Sequence, residues 1–165
     1  FIGPSGSGKS YVVNSLLNFG KLITEDILCC STKSDSFYAV PSIPVIKLQL
    51  NELNITDAMF NIEGDVRNRN GFITKKFDYE NKPIKIHGCF ILKEDEGKMI
   101  AKCNKDEAFR HLFLNSFCAL PKNKCIQSEK KLLSNISDFI MKTPIFTYAR
   151  KKNHDMSALF KFLKL

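Results

Sequence analysis

The chain has 165 residues, 44% of them hydrophobic and 14 of them Phe, and a net charge of +8. That length suits one domain with a sizeable core. No apolar run reaches membrane-spanning length and no signal peptide is visible, which argues against a membrane partner, while the charge favours anionic partners such as nucleotides, nucleic acid or acidic surfaces.

The strongest signal comes first. Gly3 to Ser10 reads Gly-Pro-Ser-Gly-Ser-Gly-Lys-Ser and fits G-x-x-x-x-G-K-[ST], the phosphate-binding loop or Walker A pattern. Glycines permit positive φ and close approach to an anion, so Gly3, Ser5, Gly6, Ser7 and Gly8 can offer backbone N–H groups as a nest. Lys9 would reach the β- and γ-phosphates and the Ser10 hydroxyl would bind Mg²⁺. The helix that follows would turn its positive dipole end to the anion. The chain begins at Phe1, not Met, inside the strand that should feed this loop, and is expected to be truncated before or within that strand.

Ser10 to Phe19 reads as a helix with Val12, Val13, Leu16 and Leu17 on its apolar stripe, and Gly20 as a left-handed cap. Leu22-Ile23 leads into Thr24-Glu25-Asp26. Ile27 to Cys30 reads as a strand, Lys33 to Ser36 as a turn and Phe37 to Val40 as the returning strand of a hairpin. Pro41 and Pro44 break regular structure, and Val45 to Leu50 is another short strand. Asn61 to Gly71, polar and containing Arg67 and Arg69, is expected to be a mobile loop. Phe72 to Phe77 follows, then a central strand over Ile84 to Leu92.

Lys93 to Lys98 reads as a hairpin turn that pairs Met99–Cys103 back. Asn104 with Glu107 three residues on resembles a capping box, opening a helix with Ala108, Phe109, Leu112, Phe113 and Phe117 inward. A helix over Lys130 to Met141 presents Leu132, Leu133, Ile136, Phe139 and Ile140. Ile145 to Ala149 is a strand, and Asp155 caps a last helix ending near Leu163. Six cysteines (29, 30, 89, 103, 118 and 125) form no C-x-x-C pair, and no His stands at a zinc-ligand spacing, so buried thiols in a reducing compartment are expected. Cys29 and Cys30 should face opposite sides of a strand. His87, His111 and His154 read as structural or surface residues.

Phosphoryl transfer needs a carboxylate near Mg²⁺ and commonly another to orient or deprotonate the acceptor. Glu25 and Asp26 end the stretch after the loop helix. A helix of about ten residues returns the chain roughly antiparallel, which can bring a neighbouring strand end beside the phosphates.

Together, the Gly3–Ser10 loop and Gly20-Lys21-Leu22-Ile23-Thr24-Glu25-Asp26 resemble the catalytic domain of HPr kinase/phosphorylase and its stand-alone HPr serine kinase-like relatives. The segment Tyr38 to Leu48, with Pro44 and Lys47-Leu48, resembles a further family stretch. Lys75-Lys76 resembles its basic pair. The resemblance implies a single domain over 1–165 with a mixed-sheet α/β fold, shared with ATP-dependent phosphoenolpyruvate carboxykinases. It also implies ATP and Mg²⁺ as cofactors and transfer of the γ-phosphate to a hydroxyl of a peptide or protein serine or a small molecule. Gly3, Ser5, Gly6, Ser7, Gly8 and Lys9 would hold phosphates, Ser10 and Asp26 the metal, Glu25 the acceptor, and Lys75 or Lys76 the γ-phosphate or acceptor.

Two departures stand out: the family's first Asp is Glu25 here, and its Arg-Gly-Leu-Gly-type stretch is absent. The family's catalytic His precedes the loop and could not be in this chain. The alternative is a nucleotide-binding regulatory module whose catalysis has decayed. A nucleoside monophosphate kinase fits less well, because the basic, Tyr-rich acceptor segment after the loop helix is missing. Nucleic-acid binding rests on charge alone. The ATP chemistry predicts a cytoplasmic protein, and an oligomer is compatible with the sequence.

Overall fold

Short apolar runs separated by Gly, Pro and polar turns fold here into a mixed α/β chain with small sheets. The computed structural model describes residues 1–24, 27–42, 61–63, 72–74, 82–93, 99–116, 125–149 and 156–165. The elements are α1 (Lys9–Leu16), β1 (Cys29–Lys33), β2 (Ser36–Val40), β3 (Asn61–Glu63), β4 (Phe72–Thr74), β5 (Ile84–Lys85), β6 (Cys89–Lys93), β7 (Ile100–Lys102), α2 (Lys105–Asn115), α3 (Cys125–Lys142), β8 (Ile145–Ala149) and α4 (Ser157–Leu163). They form sheets of order β1-β2-β5, β3-β4 and β6-β8-β7. No helix among the described residues is long and apolar enough to cross a membrane. Contacts divide the chain into two compact units, one of Phe1–Lys9, Thr32–Phe37 and Lys85–Leu165, the other of Ser10–Ser31 and Tyr38–Ile84.

In the first unit Cys89-Phe90-Ile91-Leu92 offers solvent no polar position, so as a strand it must be covered on both faces. All four are buried. β6 pairs in parallel with β8, from Cys89 opposite Ile145 to Lys93 opposite Ala149. On its other edge Ile2 forms a parallel bridge to Ile91. There Ile2 N–H donates to Phe90 O at 2.8 Å and Leu92 N–H to Ile2 O at 2.7 Å. One face of β6 packs Cys89 and Ile91 against Ala108 and Leu112 of α2 and Ile136 of α3. On the other, Phe90 stacks with Phe1 and with Phe146, each at 5.4 Å, and Phe162 of α4 meets both rings edge-on. Burying an aliphatic side chain as fully as Ile91 or Leu92 contributes about 1.5–3 kcal/mol.

Several expectations are corrected here. Met99–Cys103 does not pair back on the preceding strand, because β8 lies between β6 and β7. The reason is burial: β8 hides Ile145, Tyr148 and Ala149, whereas β7 keeps Lys102 exposed and suits an edge. The single strand over Ile84 to Leu92 is instead two strands in different sheets, β5 and β6. Of the turn between β6 and β7, residues 94–98 lie outside the described residues.

α2 starts as expected, with Glu107 N–H donating to the Asn104 Oδ1 at 2.8 Å. It ends at Asn115, and Phe113 is 46% exposed rather than inward. Phe117 lies outside the described residues. α3 begins at Cys125 rather than Lys130, and Leu133 is exposed while Leu132, Ile136, Phe139 and Ile140 pack inward. α4 has Met156 at its N-cap with no side-chain cap bond, and Asp155 lies outside the described residues. Among the described cysteines Cys89 is buried, whereas Cys29 and Cys30 are exposed, because β1 is exposed along its whole length.

The expected hairpin at Lys33–Ser36 forms with a tighter turn. Ser34 and Asp35 take φ of 48° and 61°, the pattern of a type I′ turn, whose twist matches that of the flanking strands. In the second unit the helix stops at Leu16, and the chain continues in turns with Phe19 N–H on Leu16 O at 2.9 Å. Gly20 is not left-handed; among the described glycines positive φ occurs at Gly6 and Gly8. The tighter bonds of the last turn close the helix without a left-handed cap. Asn61–Glu63, expected to open a loop, is strand β3, antiparallel to β4 with Asn61 opposite Thr74. Arg67, Arg69 and Val45–Leu50 lie outside the described residues.

Candidate functional site

Gly3 to Ser10 joins the parallel bridge at Ile2 to the start of α1 at Lys9, the strand–loop–helix context that a phosphate-binding loop requires. Each glycine does something different. A Cβ on Gly3 would stand 2.7 Å from Ser7 Oγ and 3.3 Å from Leu92 O, so the backbone of the loop's first residue lies against β6. Gly6 has φ +83° with nothing within 4 Å of where a Cβ would stand. Its glycine serves the backbone angle and open clearance, not packing. Gly8 is also left-handed, at φ 81°. Within the loop Ser7 N–H reaches Pro4 O at 3.3 Å.

Lys9 folds back over the loop and donates to Gly3 O and to Pro4 O, both at 2.8 Å. An ammonium carries three protons, and these two carbonyls take two of them. The charge is thereby held at the mouth of the loop with a donor left for an anion. Ser7 Oγ is buried with no hydrogen-bond partner. A buried hydroxyl without a partner costs about 1–3 kcal/mol, which a loop rearranged around an anion could recover. The residues present therefore fit a phosphate group: open clearance at Gly6, a tethered cation and an orphaned hydroxyl.

Glu25, Asp26, Lys75 and Lys76 lie outside the described residues. The flanks of the acidic pair are ordered by bonds of their own. The Thr24 hydroxyl donates to Ile27 O at 2.7 Å and shares a 2.6 Å bond with the Ser42 hydroxyl, and Ser42 N–H donates to Ile23 O at 3.0 Å. Among the described residues no three His, Cys, Asp or Glu side chains cluster as metal ligands.

Lys93 is the residue that sequence reasoning missed, having been assigned to a turn. It ends β6, the strand beside the loop, and forms an ion pair with Glu107 of α2. Asn104 Nδ2 also approaches that carboxylate, at 3.4 Å. The local signal was a charged residue directly after four apolar ones; the partner, in another element, left none. Burial first, then the Lys93 and Arg110 charges, pushes the His111 imidazole below its usual range. Burial raises the Cys103 thiol, with Lys93 acting in the opposite sense. His87 is exposed, and His154 lies outside the described residues. No protein-family model, curated protein or solved structure matches the chain.

Proposed function

We propose that Gly3 to Ser10 holds the phosphates of a nucleotide, and that the chain is an ATP- and Mg²⁺-dependent phosphotransferase of the HPr serine kinase type. Its fold would be the nucleotide-binding fold shared with phosphoenolpyruvate carboxykinases. One observation carries the reading: Lys9 is tied across a loop with left-handed Gly6 and Gly8, between a parallel bridge and a helix. The motif resemblance at Gly3–Ser10 and Gly20–Asp26 supports the finer part.

Bound ATP would supply the phosphoryl group, and Mg²⁺ would neutralise its charge. Backbone N–H groups of Gly3, Ser5, Gly6, Ser7 and Gly8 would bind phosphate oxygens, with Lys9 neutralising them. Ser10 and Asp26 would hold the metal, and Glu25 would orient or deprotonate the acceptor hydroxyl of a peptide, protein or small molecule. Lys75 or Lys76 would reach the γ-phosphate or the acceptor. Glu25 in place of the family's Asp favours a second reading, a nucleotide-binding module without transfer.

The test is calorimetric titration with ATP and Mg²⁺. Lys9→Ala should weaken binding by about tenfold or more, since a charge-assisted contact is worth about 1.5–3 kcal/mol. Equal affinity in the variant would remove the loop assignment. Glu25→Gln should leave binding intact and slow transfer by about 10²–10⁴-fold. Lys9-dependent binding with no transfer to any acceptor would select the regulatory module.

A further inference from the structure

We propose that Lys93 is a second cation for the polyphosphate, withheld by Glu107 until a ligand competes for it. The inference rests on the phosphate-loop reading and adds a binding residue and a restraint to it. The bridge places Ile2 opposite Ile91, so Gly3 lies beside Leu92, consistent with the 3.3 Å approach of a Gly3 Cβ to Leu92 O. Lys93 follows Leu92 as the last residue of β6. Lys93 therefore ends its strand beside the loop whose Pro4 carbonyl Lys9 already holds.

Its side chain turns elsewhere. Lys93 pairs with Glu107, in the first turn of α2. Cys103 N–H donates to Ile145 O, and Ile145 lies opposite Cys89. The start of α2 is thus at the end of the sheet away from the loop, and Glu107 draws the Lys93 ammonium back along the sheet. The two side chains keep 28% and 23% of their surface exposed, so the pair is open to competition from solvent, at a higher cost than for a fully exposed pair. A polyphosphate in the loop presents several anionic oxygens against one carboxylate. Capture of Lys93 would put a cation where many phosphate-loop proteins have a carboxylate for the metal. The site would then hold nucleotide in part without Mg²⁺.

The experiment titrates ATP, with Mg²⁺ and with EDTA, into the parent chain and the variants Lys93→Gln, Glu107→Gln and Lys9→Ala, each checked by thermal melting. Lys93→Gln should weaken binding in EDTA by about tenfold. Glu107→Gln, which keeps its backbone N–H on Asn104, should tighten it severalfold by releasing Lys93. A purely structural ion pair would lower the melting temperature in both variants and shift affinity alike or not at all. Opposite shifts in affinity support the proposal. Lys9-dependent binding that both variants leave unchanged, or move the same way, overturns it while leaving the loop reading intact. Absence of any Lys9-dependent binding overturns both.

Discussion

The Gly3–Ser10 loop and the Ser34–Asp35 turn both send the chain through left-handed backbone, with opposite choices of residue. The loop uses Gly6 and Gly8 at φ 83° and 81°; the turn uses Ser and Asp at 48° and 61°. The turn is held between β1 and β2, and the Asp35 side chain forms an ion pair with Lys142. Flanking strands can impose a left-handed pair on ordinary residues, and Asp tolerates it better than most. The loop has a bridge on one side and a helix on the other, and side chains at Gly3 or Gly6 would meet β6 or fill the clearance. Left-handed residues in the turn serve the ladder, whereas Gly6 in the loop leaves open space where a side chain would stand.

The largest effect expected within this comparison is at Gly3. Gly3→Ala puts a methyl against a backbone carbonyl of β6 and should cost about 1–3 kcal/mol, as overpacking does, together with nucleotide binding. Urea denaturation and ATP titration measure the two, and a variant as stable as the parent would show that the loop does not pack on β6 as described. Gly6→Ala has free space and pays only for its backbone angle, about 1 kcal/mol, but should still weaken ATP binding as the loop relaxes. If its stability falls while affinity holds, the clearance above Gly6 has no part in binding. The smallest effect belongs to the turn: Ser34→Asn places a favoured residue at the first left-handed position and should raise stability by about 0.5 kcal/mol or less. Thermal melting decides, and a loss there would mean that the flanking strands do not impose the turn.

Features within a few residues of one another were legible. The hairpin around Ser34 and Asp35, the Asn104–Glu107 cap, the whole of β8 and the strand–loop–helix setting of Gly3–Ser10 all follow from chemistry at short spacing. Boundaries set by competition were not. The helix after the loop stops at Leu16 because its last turn tightens, and Gly20 is left without the role its type suggests. Ile84 to Leu92 reads as one apolar run, yet Ile86 N–H bonds to Phe37 O while Cys89 N–H bonds to Pro144 O. Nothing in the run itself says that its two ends serve different partners.

The sequence alone determined the residue types of the candidate loop, because an anion cradle needs glycine, lysine and hydroxyl at fixed short intervals. It also determined which strands could be buried, since burial on both faces demands an unbroken apolar run. Only the tertiary structure decided that Ile2 lies along β6, that β8 enters between β6 and β7, and that Lys93 turns from the loop toward Glu107. Those outcomes depend on which segments, far apart in the chain, bury the most apolar surface together. The charge at the end of a strand then pairs with whatever carboxylate that packing brings within reach.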